Sequence, residues 1–188
     1  DSMKGQSGMP GNEYADGMLE HDGDVGKLLQ TLDELKIADN TIVVYTTDNG
    51  PNQFSWPDAA TTPFRNEKDS NWEGAYRVPA IIRWPGKVKA GEVSNEMVSG
   101  LDWFPTLLAA AGDGDVKDKL LKGWAPTAGG TNFKVHLDGY NQLPYITGQQ
   151  PKGARNEFFY FNDDGALVAV RFDNWKVVFA EQRQPGGF

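Results

Sequence analysis

The chain contains no cysteine. Disulfides, zinc–thiolate centres and cysteine nucleophiles are therefore excluded within it, while the redox compartment stays open. It also lacks any apolar run long enough to span a bilayer, any internal repeat, any low-complexity segment and any block of Lys or Arg. With a formal net charge of −8, that last absence argues against nucleic acid or an anionic membrane surface as the main partner. An anionic small substrate is still compatible, because one pocket can oppose the global sign. There is no initiator methionine or signal peptide at Asp1, and Gln184-Pro185-Gly186-Gly187-Phe188 is a turn signal. The sequence is therefore expected to be a piece of a longer protein. What is present, 39% hydrophobic residues and six tryptophans in 188 residues, suits a packed globule of one domain or most of one plus a small appendage.

The pattern along the chain predicts an α/β fold. Tyr14, Met18, Val25, Leu28, Leu29, Leu32 and Leu35 recur at helical steps and predict an amphipathic helix from Glu13 to about Lys36. Gly17, Gly23 and Gly26 weaken it or mark close packing on a neighbour. His21 within it reads as a surface or packing residue. Thr41-Ile42-Val43-Val44-Tyr45-Thr46-Thr47 is β-branched and apolar on both faces, which predicts a buried parallel strand. Pro51–Asn71 reads as a long loop, and Val78–Trp84 as a second strand closed by the Pro85-Gly86 turn. Asn95–Ser99 is a short strand candidate. Asp102 is placed as the N-cap of a helix from about Trp103 to Ala111, stopped by Gly112. Short helices are expected at Val116–Leu121 and Leu143–Ile146. Phe158–Phe161, Ala166–Phe172 and Trp175–Ala180, separated by turns, predict an antiparallel meander. The division expected is a central mostly parallel sheet with helices over residues 1–150, then a small antiparallel subdomain over 151–188.

The chemistry concentrates where the first strand ends. Asp48 and Asn49 offer a carboxylate and an amide oxygen side by side, hard donors suited to Ca²⁺ or Mg²⁺. Ligands bind at the carboxyl ends of strands in open α/β sheets. An isolated Asp-Asn-Gly is also an ordinary turn. Lys68, in the loop after that strand, adds an ammonium. A hard cation plus a lysine is what holds an oxyanion such as sulfate or phosphate. A solvated surface lysine is the alternative.

Several stretches in order decide between these readings. They are Tyr14 through Asp22 with Val25-Gly26 and Leu28-Leu29; Asn40-Thr41-Ile42-Val43 through Thr47-Asp48-Asn49-Gly50; Lys68 with Glu73-Gly74 and Arg77-Val78-Pro79 after it; Trp84-Pro85-Gly86; and Asp102, Pro105-Thr106-Leu107-Leu108 and Ala111-Gly112. Together they resemble the carboxyl-side half of the catalytic domain of the sulfatase family, the arylsulfatase-like branch of the alkaline phosphatase superfamily. Asp138-Gly139 and the late meander match more loosely. Ala75 departs from the pattern, which usually has a second glycine there.

The resemblance implies part of an alkaline-phosphatase-like sandwich and a sulfuric ester hydrolase acting on a small-molecule sulfate ester. It implies that Asp48 and Asn49 are two ligands of one Ca²⁺ or Mg²⁺ ion, and that Lys68 is a catalytic lysine in contact with the substrate sulfate. The family's nucleophile is a formylglycine made from a Cys or Ser in a Cys/Ser-x-Pro-x-Arg motif. No such motif occurs here, since Ser7-Gly8-Met9-Pro10 does not fit. That nucleophile, the first acidic metal ligands and the catalytic histidines are expected in a missing amino-terminal half, and His21 and His136 do not stand in for them. The chain by itself is expected to be inactive. A phosphonate monoester or phosphodiester hydrolase of the same superfamily is the alternative within enzymes, and a metal-stabilised binding domain the alternative outside them. By family analogy the compartment is periplasmic or extracellular.

Overall fold

The computed structural model describes residues 3–52, 54 and 57–182. The turn read at the carboxyl terminus and part of the loop after Gly50 lie outside the described residues. Two compact units are present. One takes in the chain up to Gly86 with Phe159–Ala169 and the chain from Val177; the other takes in Lys87–Phe158 and Val170–Lys176.

The first unit opens with helix α1, Glu13–Glu34. Asn12 caps it, its side-chain oxygen accepting the Ala15 N–H at 2.9 Å, and Glu13 and Asp16 in the first turn complement the helix dipole. The buried Asp16 carboxylate also accepts the N–H groups of Gly5 at 2.6 Å and Ser7 at 3.0 Å, which folds the preceding loop onto the helix. The helix stops two residues short of its expected end because Lys36 takes φ +58°, a left-handed conformation that cannot continue it. Of the predicted apolar face only Val25, Leu29 and Leu32 are half-buried; Tyr14, Met18, Leu28 and Leu35 are exposed. A Cβ on Gly17, Gly23 or Gly26 would meet nothing within 4 Å, so these glycines mark no close packing.

Strand β1, Val43–Thr46, pairs with β2, Ala80–Arg83, in the register Val43↔Arg83 to Thr46↔Ala80. The pairing is antiparallel, which corrects the parallel reading, and Tyr45, Thr46 and Ile81 are exposed. An apolar run on both faces argues for coverage of both faces and carries no information about strand direction. The Thr46 hydroxyl donates to the Pro79 carbonyl at 2.9 Å and ties the entry of β2 to the exit of β1. His21 is exposed and shares a 3.1 Å hydrogen bond with the Tyr45 hydroxyl, in line with a packing role.

A short helix the pattern does not reveal, α2 at Glu73–Tyr76, lies between these strands. Helices α3, Trp103–Ala110, α4, Val116–Lys122, and α5, Leu143–Ile146, belong to the second unit. A 3₁₀ turn at Gly100–Asp102 leads into α3. Asn95–Ser99 forms no strand. Asp102 does not cap α3 with its side chain. It accepts the Ser99 N–H at 3.0 Å in a Ser99-x-x-Asp102 capping box and turns the rest of its carboxylate inward. There it meets Arg155, the Tyr140 N–H at 2.8 Å and the Gln142 amide at 3.0 Å. Val116 and Leu120 supply the apolar part of this unit's core.

Strands β3, Glu157–Phe161, β4, Leu167–Phe172, and β5, Trp175–Val178, form a three-stranded sheet in the order β3-β4-β5. Connections this short join antiparallel neighbours, as the predicted meander requires. Among the described residues no helix is long and apolar enough to cross a membrane.

Candidate active site

β1 ends at Thr46 and delivers Asp48 to the surface, Asn49 to a half-buried position and Gly50 into the interior. The Thr47 hydroxyl donates to Asp48 Oδ1 at 3.3 Å. Asn49 Nδ2 donates to the Gly50 carbonyl at 2.8 Å, and among the described residues Asn49 Oδ1 accepts no hydrogen bond. One carboxylate and one available amide oxygen therefore lie on consecutive residues. Both are hard donors, and they fit Ca²⁺ or Mg²⁺ as part of a ligand set. They do not complete one, since among the described residues no group of three or more His, Cys, Asp or Glu can hold a metal ion.

Gly50 and Gly74 permit a close approach of backbone to backbone beside these donors. A Cβ on Gly50 would lie 1.6 Å from the Gly74 carbonyl oxygen, and a Cβ on Gly74 would lie 1.6 Å from the Asn66 carbonyl oxygen. Three backbone segments are thus stacked in direct contact: the strand exit, the first turn of α2 and the loop that carries Lys68. Hydrogen bonds lock the stack, from Gly50 N–H to Ala75 O at 2.7 Å and from Gly74 N–H to Arg65 O at 2.8 Å. The Lys68 N–H donates to the Pro51 carbonyl at 3.1 Å, two residues beyond Asn49. The structure therefore brings the backbone of the predicted lysine to the segment that carries the predicted metal ligands. Lys68 is half-buried, and among the described residues its ammonium has no ion-pair or hydrogen-bond partner.

Partners that pattern reasoning misses hold the loop in place. Asn71 is fully buried, donates to Ala180 O at 2.8 Å and accepts the Gln182 N–H at 3.0 Å. Glu181 accepts from Arg65 at 3.0 Å and from the Trp72 indole at 3.1 Å, while the Arg65 guanidinium stacks 3.5 Å from the centre of the Trp72 ring. Glu73 accepts the Tyr160 hydroxyl at 2.6 Å, and Tyr76 packs edge-on against the Tyr160 ring. No local signal marks these partners, which are distant along the chain. A cavity of about 1170 Å³ adjoins the strand exit. Asn49, Tyr14, Met18, Phe64, Arg77 and Pro79 line it, whereas Asp48 and Lys68 do not.

Against known proteins, the family model described as Sulfatase matches residues 10–113. The N-acetylgalactosamine-6-sulfatase of Canis lupus familiaris is 34% identical over 168 residues, 88% of this chain and 28% of that protein. The arylsulfatase of Hemicentrotus pulcherrimus is 31% identical over 173 residues, 90% of this chain and 28% of that protein. Among solved structures, the PsFucS1 sulfatase from Pseudoalteromonas sp. superposes with a TM-score of 0.77 at 30% identity, over 95% of this chain and 32% of that one. The α/β, alkaline-phosphatase-like architecture is therefore shared. The chain spans about 28% of the length of these curated relatives.

Proposed function

The chain belongs to the sulfatase family, and from that premise we propose that it supplies part of the active site of a sulfate ester hydrolase. Asp48 and Asn49 are two ligands of a single Ca²⁺ or Mg²⁺ ion, and Lys68 binds the sulfuryl group. The observation that carries this reading is the backbone stack Gly50–Gly74–Asn66. With the Lys68–Pro51 hydrogen bond, it ties the backbone of Lys68, whose ammonium has no carboxylate partner among the described residues, to the end of the Asp48-Asn49 strand.

A sulfate monoester carries one negative charge. One divalent ion held partly by a neutral amide, with one ammonium, is a moderate positive field matched to a monoanion. A divalent ion bound here supplies positive charge toward the sulfuryl oxygens. Lys68 donates to those oxygens and neutralises the charge they carry, while the bonding pair of the breaking S–O bond leaves with the alcohol oxygen. With Asn49 Nδ2 donating to the Gly50 carbonyl, Oδ1 is the amide atom left to face a cation. The nucleophile, expected to be a formylglycine, is not among these residues, so the complete enzyme requires sequence beyond this chain. The N-acetylgalactosamine-6-sulfatase relative makes a sugar sulfate a reasonable ester to test beside an aryl sulfate.

In the full-length protein that carries this chain, Lys68→Ala is expected to lower kcat toward an aryl sulfate about a hundredfold, with an unchanged melting temperature. Unaltered turnover would remove Lys68 from the site. The same preparation assayed with aryl phosphate and phosphonate monoesters should turn them over more slowly. A preference for either would replace the reaction with that of a phosphoryl or phosphonyl hydrolase. Asp48→Asn should weaken Ca²⁺ binding by at least about tenfold in calorimetry, because it removes the one charge of the pair. The isolated chain is expected to give no turnover.

A further inference from the structure

Lys68 sits between two left-handed residues that are not glycine, Asn66 at φ +58° and Asp69 at φ +67°. L-residues adopt this conformation rarely. Asn and Asp tolerate it, and β-branched residues essentially do not. Both side chains are exposed, and among the described residues neither makes a hydrogen bond or an ion pair. Among the described residues, then, their polar groups do not hold the loop. We propose that Asn66 and Asp69 are positioning residues that aim Lys68 through their backbone conformation. The inference rests on the reading that Lys68 binds the sulfuryl group.

The loop is anchored on both sides of Lys68. On the amino side, Arg65 and Asn66 are fixed against Gly74, through the 2.8 Å Gly74 N–H to Arg65 O bond and the Asn66 carbonyl that lies against the Gly74 Cα. On the carboxyl side, Ser70 and Asn71 are buried. Ser70 Oγ donates to Glu67 O at 2.8 Å, and Asn71 is held at both ends of its amide by Ala180 and Gln182. With both anchors fixed, a change of φ at residue 66 or 69 can be absorbed only between them, and the residues between them are Glu67, Lys68 and Asp69, with the Lys68 N–H itself bonded to the Pro51 carbonyl. Strained conformations persist where the surroundings over-determine them, and they gather at functional sites.

A graded series at Asp69 in the full-length protein tests this. Glycine keeps the left-handed conformation and deletes the side chain, alanine disfavours it, and valine opposes it. Asp69→Gly should retain kcat/KM for the sulfate ester within about threefold, Asp69→Ala should lose about tenfold, and Asp69→Val should approach about a hundredfold loss. In a Lys68→Ala background, Asp69→Val should cost less than about twofold further, because there is no ammonium left to misplace. A full Asp69→Val loss in that background, a flat series, or a glycine variant as impaired as valine would each overturn the proposal. If valine does not yield folded protein, the glycine–alanine comparison in both backgrounds decides. The two failures are separable. If Lys68→Ala is itself silent, the functional reading falls; if Lys68→Ala is severe and the Asp69 series is flat, only the positioning role falls.

Discussion

Gly74→Ala is expected to cost more than about 3 kcal/mol of stability and to abolish activity in the full-length protein, although it adds one methyl group to a helix. In an exposed helix the same change would be favourable by roughly 1 kcal/mol. Here the new Cβ would fall 1.6 Å from the Asn66 carbonyl oxygen, 2.5 Å from its carbon and 2.6 Å from the Arg65 carbonyl oxygen. All three are backbone atoms in a loop anchored on both sides, so no side chain can rotate away. The Gly50 contact lies on the same stack, and separating the layers would break the Gly50–Ala75 and Gly74–Arg65 hydrogen bonds. The adjacent position supplies the control. Ala75 is buried and already carries a methyl group where the family pattern has its second glycine. Ala75→Gly should cost only about 0.5–1 kcal/mol. Urea denaturation of both variants measures the contrast. Equal midpoints for Gly74→Ala and the parent would show that the stack can open without loss.

The same stack marks the boundary of what the sequence conveys. Glu73-Gly74 and Asp48-Asn49-Gly50 are visible as motifs, but a motif does not say that the two glycines meet across a backbone contact. The left-handed residues beside Lys68 leave only the weak trace that they are Asn and Asp, types common in any loop. Strand existence at β1 and β2 follows from β-branched runs. Strand direction does not, because it depends on a chain reversal through α2 and a loop with no periodicity. Asp102 is visible as a helix-start residue. The Ser99-x-x-Asp102 spacing that makes it part of a capping box is also present, but it overlaps a stretch that reads as a strand up to Ser99. Arg155 has no local signal at all. It follows Gly-Ala in a loop, and its partner lies 53 positions earlier.

That partnership yields the other large effect. Arg155 and Asp102 form an ion pair whose side chains are 3% and 1% exposed, with contacts of 2.6 Å from Nη2 to Oδ1 and 3.0 Å from Nε to Oδ2. Arg155 also donates to the Asp138 carbonyl at 3.0 Å and the Glu157 carbonyl at 3.2 Å. Burial alone would push the Asp102 carboxyl up. The Arg155 guanidinium, the Ser99 and Tyr140 N–H groups and the Gln142 amide outweigh it and hold the group below the ordinary carboxylate range. Arg155→Ala is expected to destabilise by about 3–5 kcal/mol at neutral pH, because it leaves Asp102 buried without its countercharge. The pH dependence gives the mechanism a sign. In the parent, a depressed folded pKa means that the Asp102 contribution is fully present above the unfolded value of about 3.9 and is lost as pH falls through the folded value. In Arg155→Ala the carboxyl is buried without the cation, its folded pKa rises, and the penalty is largest at neutral pH and relaxes as the group protonates. The stability gap between parent and variant should therefore narrow steadily from about pH 7 toward about pH 4. A gap constant across that range would mean that lost packing of the arginine stem, and not its charge, accounts for the defect. In an Asp102→Asn background, Arg155→Ala should cost less than in the parent, since the carboxylate that needed the cation is gone.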